Sequence, residues 1–147
     1  MSKINIVYWS QSGNTEAMAN AIGQGIKDSQ QEYGKEVEVI EVTNANVEEL
    51  KDAAVFALGC PATGEEIIDE YDMEPFVAEV EKFADGKQIA LFGSYDWGDG
   101  QWMRDWEERM KSAGATIVGG EGLICQYAPD DSAVEACKNL GKKLASL

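Results

Sequence analysis

Histidine is missing from this 147-residue sequence. Its absence removes the side chain most often used for proton transfer near neutral pH, and with it Ser-His-Asp and Cys-His catalysis and most zinc chemistry. Cationic side chains are scarce: 12 Lys and Arg stand against 27 Asp and Glu, a net charge of −15. A field of that sign repels nucleic acid and anionic lipid and favours electropositive partners. The three cysteines, Cys60, Cys125 and Cys137, are odd in number and lack CxxC spacing. They read as reduced, buried thiols and not as a disulfide or metal framework. No apolar run approaches membrane-spanning length, and the sequence enters a strand pattern with no signal-peptide features. A soluble, cytoplasmic protein is therefore expected.

What is present is an alternation of strand and helix patterns within a length suited to one domain. Residues 3–10 (KINIVYWS), 53–59 (AAVFALG) and 88–94 (QIALFGS) are nearly continuous apolar runs, as expected for strands covered on both faces. Residues 37–42 (VEVIEV) alternate, which suits an edge strand, and a fifth strand is expected within 116–127, interrupted by Gly119, Gly120 and Gly122. Met18, Ile22 and Ile26 set a helix over 14–30, and a shorter helix is expected after Asn46. Phe76, Val80 and Phe83 mark one over 75–84, and Trp102, Trp106 and Met110 one over 100–112 that ends at Gly114. The last helix is expected to open on a capping box, Ser132 to Glu135, and to bury Val134, Cys137, Gly141 and Leu144. Five strands alternating with helices imply an α/β fold, a three-layer, doubly wound sandwich around a five-stranded parallel sheet.

In such folds ligands bind beyond the carboxyl ends of the strands, which selects three loops. The first, Ser10 to Thr15, leads into a helix N-terminus, where free amides and the helix dipole attract an anion. Gly13 admits close backbone approach, and Ser10, Ser12, Asn14 and Thr15 are neutral donors. The Lys of a nucleoside triphosphate loop and the GxGxxG of a dinucleotide site are both lacking. Neutral donors suit one enclosed terminal phosphate, although a Ser/Asn/Gly cluster also serves as a plain helix cap. The second loop, after strand three, holds a Thr63-Gly64 turn bordered by carboxylates; Gly64 permits positive φ. The third, GSYDWGDGQW, sets Tyr95 and Trp97 among glycines, a poor place to bury rings in a core. At least one ring is expected to be exposed or stacked on a planar ligand.

The stretches YWSQSGNTE (8–16), LGCPATGEE (58–66) and LFGSYDWG (91–98) together resemble a flavodoxin of the short-chain, anaerobic-bacterial type, and the similarity spans essentially the whole sequence. The resemblance implies strand order 2-1-3-4-5 in a single domain over 1–147 that binds FMN non-covalently. Ser10, Ser12, Gly13, Asn14 and Thr15 would hold its phosphate. Trp97 would stack on the outer flavin face, with Ser94, Tyr95, Asp96 and Gly98 at the pyrimidine edge. Thr63 and Gly64 would lie on the inner side, and Trp9, Gln11, Pro61, Ala62 and Glu65 complete the implied cofactor-binding set. The peptide after Gly64 would turn its carbonyl toward the protonated flavin N5 on one-electron reduction. Thr63 and Asp96 depart from the residues usual in close relatives, Met and Gly.

The implied function is low-potential one-electron transfer between semiquinone and hydroquinone. It would serve electropositive redox-enzyme partners, such as reductases and oxidoreductases normally supplied by ferredoxin, with the carrier acting as a monomer. One carboxylate about 10 Å from an anionic reduced flavin costs it about 0.4 kcal/mol at ε of about 80, and about 1.7 at ε of about 20. That is roughly 20 to 70 mV per charge, and Glu65, Glu66, Asp96 and Asp99 are the nearest carboxylates in sequence. Three rivals follow. An FMN-dependent NAD(P)H:quinone reductase on the same fold would need cationic groups for a second nucleotide. A phospho-accepting receiver domain would need acidic residues where strands one and three end in Tyr-Trp-Ser and Leu-Gly-Cys. A flavodoxin-like activator of ribonucleotide reductase would differ only in its partner.

Overall fold

The computed structural model describes residues 3–147. Strand β1 (Lys3–Tyr8) is followed by helix α1 (Asn14–Asp28), a single turn α2 (Gln30–Tyr33), strand β2 (Glu36–Glu41), a short α3 (Glu48–Lys51) and strand β3 (Val55–Gly59). Helix α4 (Met73–Glu81), strand β4 (Gln88–Tyr95), helix α5 (Gln101–Ser112), strands β5 (Thr116–Ile117) and β6 (Leu123–Gln126), and helix α6 (Asp131–Ala145) complete the chain. All pairings within the sheet are parallel, in the order β2-β1-β3-β4-β5, with β6 also against β4. The α/β sandwich and strand order expected from the sequence are those observed.

Side chains alternate across each central strand with period two, so each strand feeds two cores. Phe56 and Leu58 of β3 and Ile89 and Leu91 of β4 face the layer of α4 and α5, where they meet Val77, Val80, Trp102, Trp106 and Met110. Ala57, Ala90 and Phe92 face the layer of α1 and α6, with Met18, Ile22, Ile26, Cys137 and Leu144. The helical stripes read from the sequence are the buried ones, except that Val134 and Phe83 are only half-buried.

Most boundaries move by one to three residues, as with the helix expected over 75–84 and found at Met73–Glu81, and three differences bear on the packing. The long first helix stops at Asp28, and Ser29 separates it from the α2 turn. The last helix begins before its expected capping box: the Asp130 carboxylate accepts the Ala133 N–H at 2.8 Å, so Asp130 is the cap and Ser132 lies inside. The fifth strand is divided. Three steps along β4, from Ile89 to Phe92, face six on the outer edge, from Ile117 to Leu123. The surplus loops out at Gly119 and Gly120, both at positive φ, before pairing resumes.

Helices α1 and α6 pack backbone to backbone. A Cβ on Gly25 would overlap the Lys138 carbonyl, and one on Gly141 would overlap that of Ile22. Neither obstacle is a flexible side chain, so Gly25→Ala is expected to lower stability by about 1–3 kcal/mol, seen as a reduced urea midpoint at unchanged m-value.

Candidate functional site

Strands β1 and β3 are neighbours, yet the chain leaves β1 toward β2 on one side and crosses back to β3 on the other. Their carboxyl ends and that of β4 therefore form the switch point of the sheet, the place where doubly wound folds bind ligands. All three loops singled out above emerge there.

The first loop is closed by its own hydroxyls. Gly13 caps α1 at φ 94 and has no side chain with which to do so. Ser10 substitutes for it: its Oγ accepts the N–H groups of Gly13 (3.1 Å) and Glu16 (3.3 Å), which leaves its own hydrogen free to donate outward. Ser12 Oγ accepts the Asn14 N–H at a long 3.4 Å. Gln11, Ser12 and Gly13 are exposed, and Trp9, Ser10 and Asn14 half-buried. Thr15 is fully buried, its Oγ1 lying 3.0 Å from Ser94 Oγ and accepting the Ser94 N–H at 3.3 Å. Tyr8, the last residue of β1, donates its phenolic O–H to Glu16 Oε2 at 2.7 Å.

The second loop continues the sheet before it turns. Cys60 N–H donates to the Phe92 carbonyl and Ala62 N–H to that of Ser94, so Cys60, Pro61 and Ala62 are fixed against β4. Thr63 and Ile67 then bond to each other in both directions, at 2.8 and 3.0 Å, and the Thr63 hydroxyl adds a third bond to Ile67 O. This closes a tight hairpin whose tip holds Gly64 at φ 49 and Glu66 at φ 58. Gly64 and Glu65 are exposed. Asp69, buried just beyond, accepts the N–H groups of Asp72 and Met73 and so caps α4.

In the third loop Tyr95 is half-buried, its ring 5.5 Å from that of Trp102, whereas Trp97 is 63% exposed. The expectation of an exposed ring is met by Trp97. Tyr127 N–H holds the Tyr95 carbonyl (2.8 Å), and the Gln126 side chain holds that of Asp96 (3.2 Å). The site set inferred from the sequence is thus brought to one edge, with Thr15 and Ser94 beneath it as a joint and not as open surface.

Sequence reasoning missed the ties between loops. Glu66 lies across Gly98, where a Cβ would overlap its carboxylate, and accepts the Gln101 N–H at 3.2 Å. Gly100, the N-cap of α5, has no side chain, so the cap comes from the neighbouring loop. A glycine at a helix start with no capping partner was the available signal. Trp102 Nε1 likewise donates to the Cys60 carbonyl at 3.1 Å. The carboxylates are not equivalent either: Asp99 pairs with Arg104 (3.2 Å) and Glu66 is engaged, while Glu65 and Asp96 are exposed.

A hydroxyl-lined helix start beside an exposed indole, on a doubly wound sheet, defines a domain for a phosphorylated planar ligand. The flavodoxin family model matches residues 6–141. A flavodoxin from Clostridium beijerinckii is 46% identical over 144 residues, 98% of this chain and 100% of that one, and one from Megasphaera elsdenii is 40% identical over 97% and 98%. The solution structure of two-electron reduced Megasphaera elsdenii flavodoxin superposes with a TM-score of 0.86 at 39% identity, over 98% and 99% of the two chains. The chain belongs to the flavodoxin family. Its cofactor is accordingly FMN, and it is an electron-transfer protein and not an enzyme. Among the described residues, no helix is long and apolar enough to cross a membrane.

Two outcomes are expected. Glu66→Ala should raise the amide exchange rate of Gln101 about 2- to 30-fold by NMR, the range for loss of one cap, and Glu66→Gln should not. All three thiols are free. Burial pushes Cys60 and Cys137 up to about 12 and raises half-buried Cys125 less. Alkylation of the folded protein at about pH 8 should therefore modify Cys125 first and spare Cys60 until unfolding.

Proposed function

We propose that this flavodoxin is a low-potential one-electron carrier, with FMN seated across the three loops at the carboxyl edge of the sheet. The reading rests on one observation, the convergence of a hydroxyl-lined helix start and a largely exposed tryptophan on a rigid edge. Bound FMN supplies the redox chemistry, accepting two electrons in separate steps.

The protein's part is to hold and bias. Ser10 donates its free hydroxyl hydrogen to the phosphate while its lone pairs keep the loop closed. Ser12 and Asn14 add donors, and Thr15 contributes through its backbone N–H, since its hydroxyl is committed to Ser94. These donors fit a single phosphate group: they are neutral, clustered, and backed by the positive end of a fifteen-residue helix. Trp97 offers an open indole face to a planar ring. The Thr63–Ile67 hairpin supplies a wall whose tip peptide, after Gly64, turns at small cost. Glu65 and Asp96, exposed and in no ion pair among the described residues, disfavour added negative charge at the ring and so lower the potential of the second electron. The wider acidic surface steers docking onto basic faces of partner enzymes, at rates that fall as salt rises.

Anaerobic stepwise reduction of the FMN-loaded protein, followed by visible absorbance, tests this. A long-wavelength band should accumulate mid-titration and the second electron should be much harder to add. Asp96→Asn should raise that second potential by roughly 20 to 70 mV. Direct passage to the two-electron form would overturn the reading in favour of a two-electron reductase.

A further inference from the structure

Glu16 occupies the third position of α1, counting Asn14 as the first. A glutamate at that position ordinarily folds back to accept the backbone N–H of the N-cap residue, the return half of a capping box. Here the N-cap is Gly13, which lies within the Ser10-to-Thr15 loop in which the preceding reading seats the phosphate. A carboxylate folded back there would place a negative charge in that loop and repel the phosphate. The structure shows a different arrangement. The Gly13 N–H is held by Ser10 Oγ at 3.1 Å, and the Glu16 carboxylate is drawn sideways to the Tyr8 hydroxyl at 2.7 Å. Such a charge-assisted bond from a phenol is short and strong.

From this geometry we infer that Tyr8 is a positioning residue for cofactor binding: it diverts Glu16 from the start of its own helix and keeps the phosphate cradle open. Three features suit Tyr8 to this task. As the last residue of β1, 9% exposed and packed among Ile4, Ile6 and Met18, it has a fixed ring. Its hydroxyl stays protonated, because burial, the Glu16 hydrogen bond and the charges of Glu16 and Glu41 push it up to about 12. The partner it restrains is exposed and makes no other side-chain bond among the described residues. A loop with no cation of its own has little with which to outcompete an adjacent carboxylate, so moving that carboxylate aside matters more here than in a Lys-bearing phosphate loop.

The inference rests on the phosphate lying in the Ser10-to-Thr15 loop, and its test separates the two. Apoprotein is titrated with FMN and with riboflavin, which lacks the phosphate, by quenching of flavin fluorescence. The unaltered protein should bind FMN far more tightly than riboflavin; equal affinities would overturn the loop assignment and the inference with it. Tyr8→Phe should weaken FMN about tenfold and leave riboflavin unchanged, which also shows that the variant is folded. Glu16→Ala should bind FMN at least as tightly as the unaltered protein. The double variant Tyr8→Phe/Glu16→Ala should return to within about twofold of Glu16→Ala. Equal losses for FMN and riboflavin in Tyr8→Phe, or a double variant as weak as Tyr8→Phe, would show that Tyr8 acts through packing alone and would overturn the inference while leaving the loop assignment standing.

Discussion

One buried contact between two hydroxyls carries the site. Thr15 and Ser94 are 79 residues apart, yet their oxygens lie 3.0 Å from each other, with the Ser94 amide turned onto the same threonine. Thr15 starts the helix that follows the first loop, and Ser94 sits where β4 gives way to the third. The contact therefore fixes the spacing between the anion cradle and the aromatic arm. Two isolated buried hydroxyls would each carry a desolvation penalty; paired, they satisfy one another and specify a register. A ligand with a phosphate at one end and a flat ring at the other requires those two ends to be held at a constant separation, which in the proposed reading this joint would provide.

The remaining wall is secured differently. The Cys60 to Ala62 segment extends the ladder against β4, and its carbonyl at Cys60 takes the indole N–H of Trp102 from the α5 layer. Glu66 closes the circuit by lending its carboxylate to the amino end of α5 across a glycine that leaves room for it. The second and third loops are thus braced by each other as well as by their own bonds. The hairpin tip at Gly64 lies outside this bracing, exposed and at positive φ.

The architecture was legible because parallel strands buried on both faces leave nearly unbroken apolar runs, and the helices between them repeat every three to four residues. The loops were legible for another reason: positions 10–15, 60–66 and 94–100 carry glycines, hydroxyls and aromatics that a core would not use. What could not be read were contacts with no local trace. Nothing near Thr15 points to Ser94, and nothing near Gly100 points to Glu66 beyond the want of a cap. The α6 start was misplaced because Asp130 and Ser132 both carry a capping oxygen, and only the structure shows which one meets a free N–H. The division of the outer strand was foreshadowed by its glycines, but the count of residues looped out depends on where pairing to β4 resumes.

The glycine contact between α1 and α6 has a bearing on how the molecule assembles. Helix α1 carries the anion loop at its head, and the surface that clamps its flank belongs to the element formed last in chain order. Partners drawn from distant parts of the sequence close a large loop when they meet, which adds an entropic cost to their docking. A growing or partly folded chain has one face of its sheet without its second helix until α6 settles. In the proposed reading the cofactor cradle is set on that same helix, so tight cofactor capture would double as a report that α6 has docked.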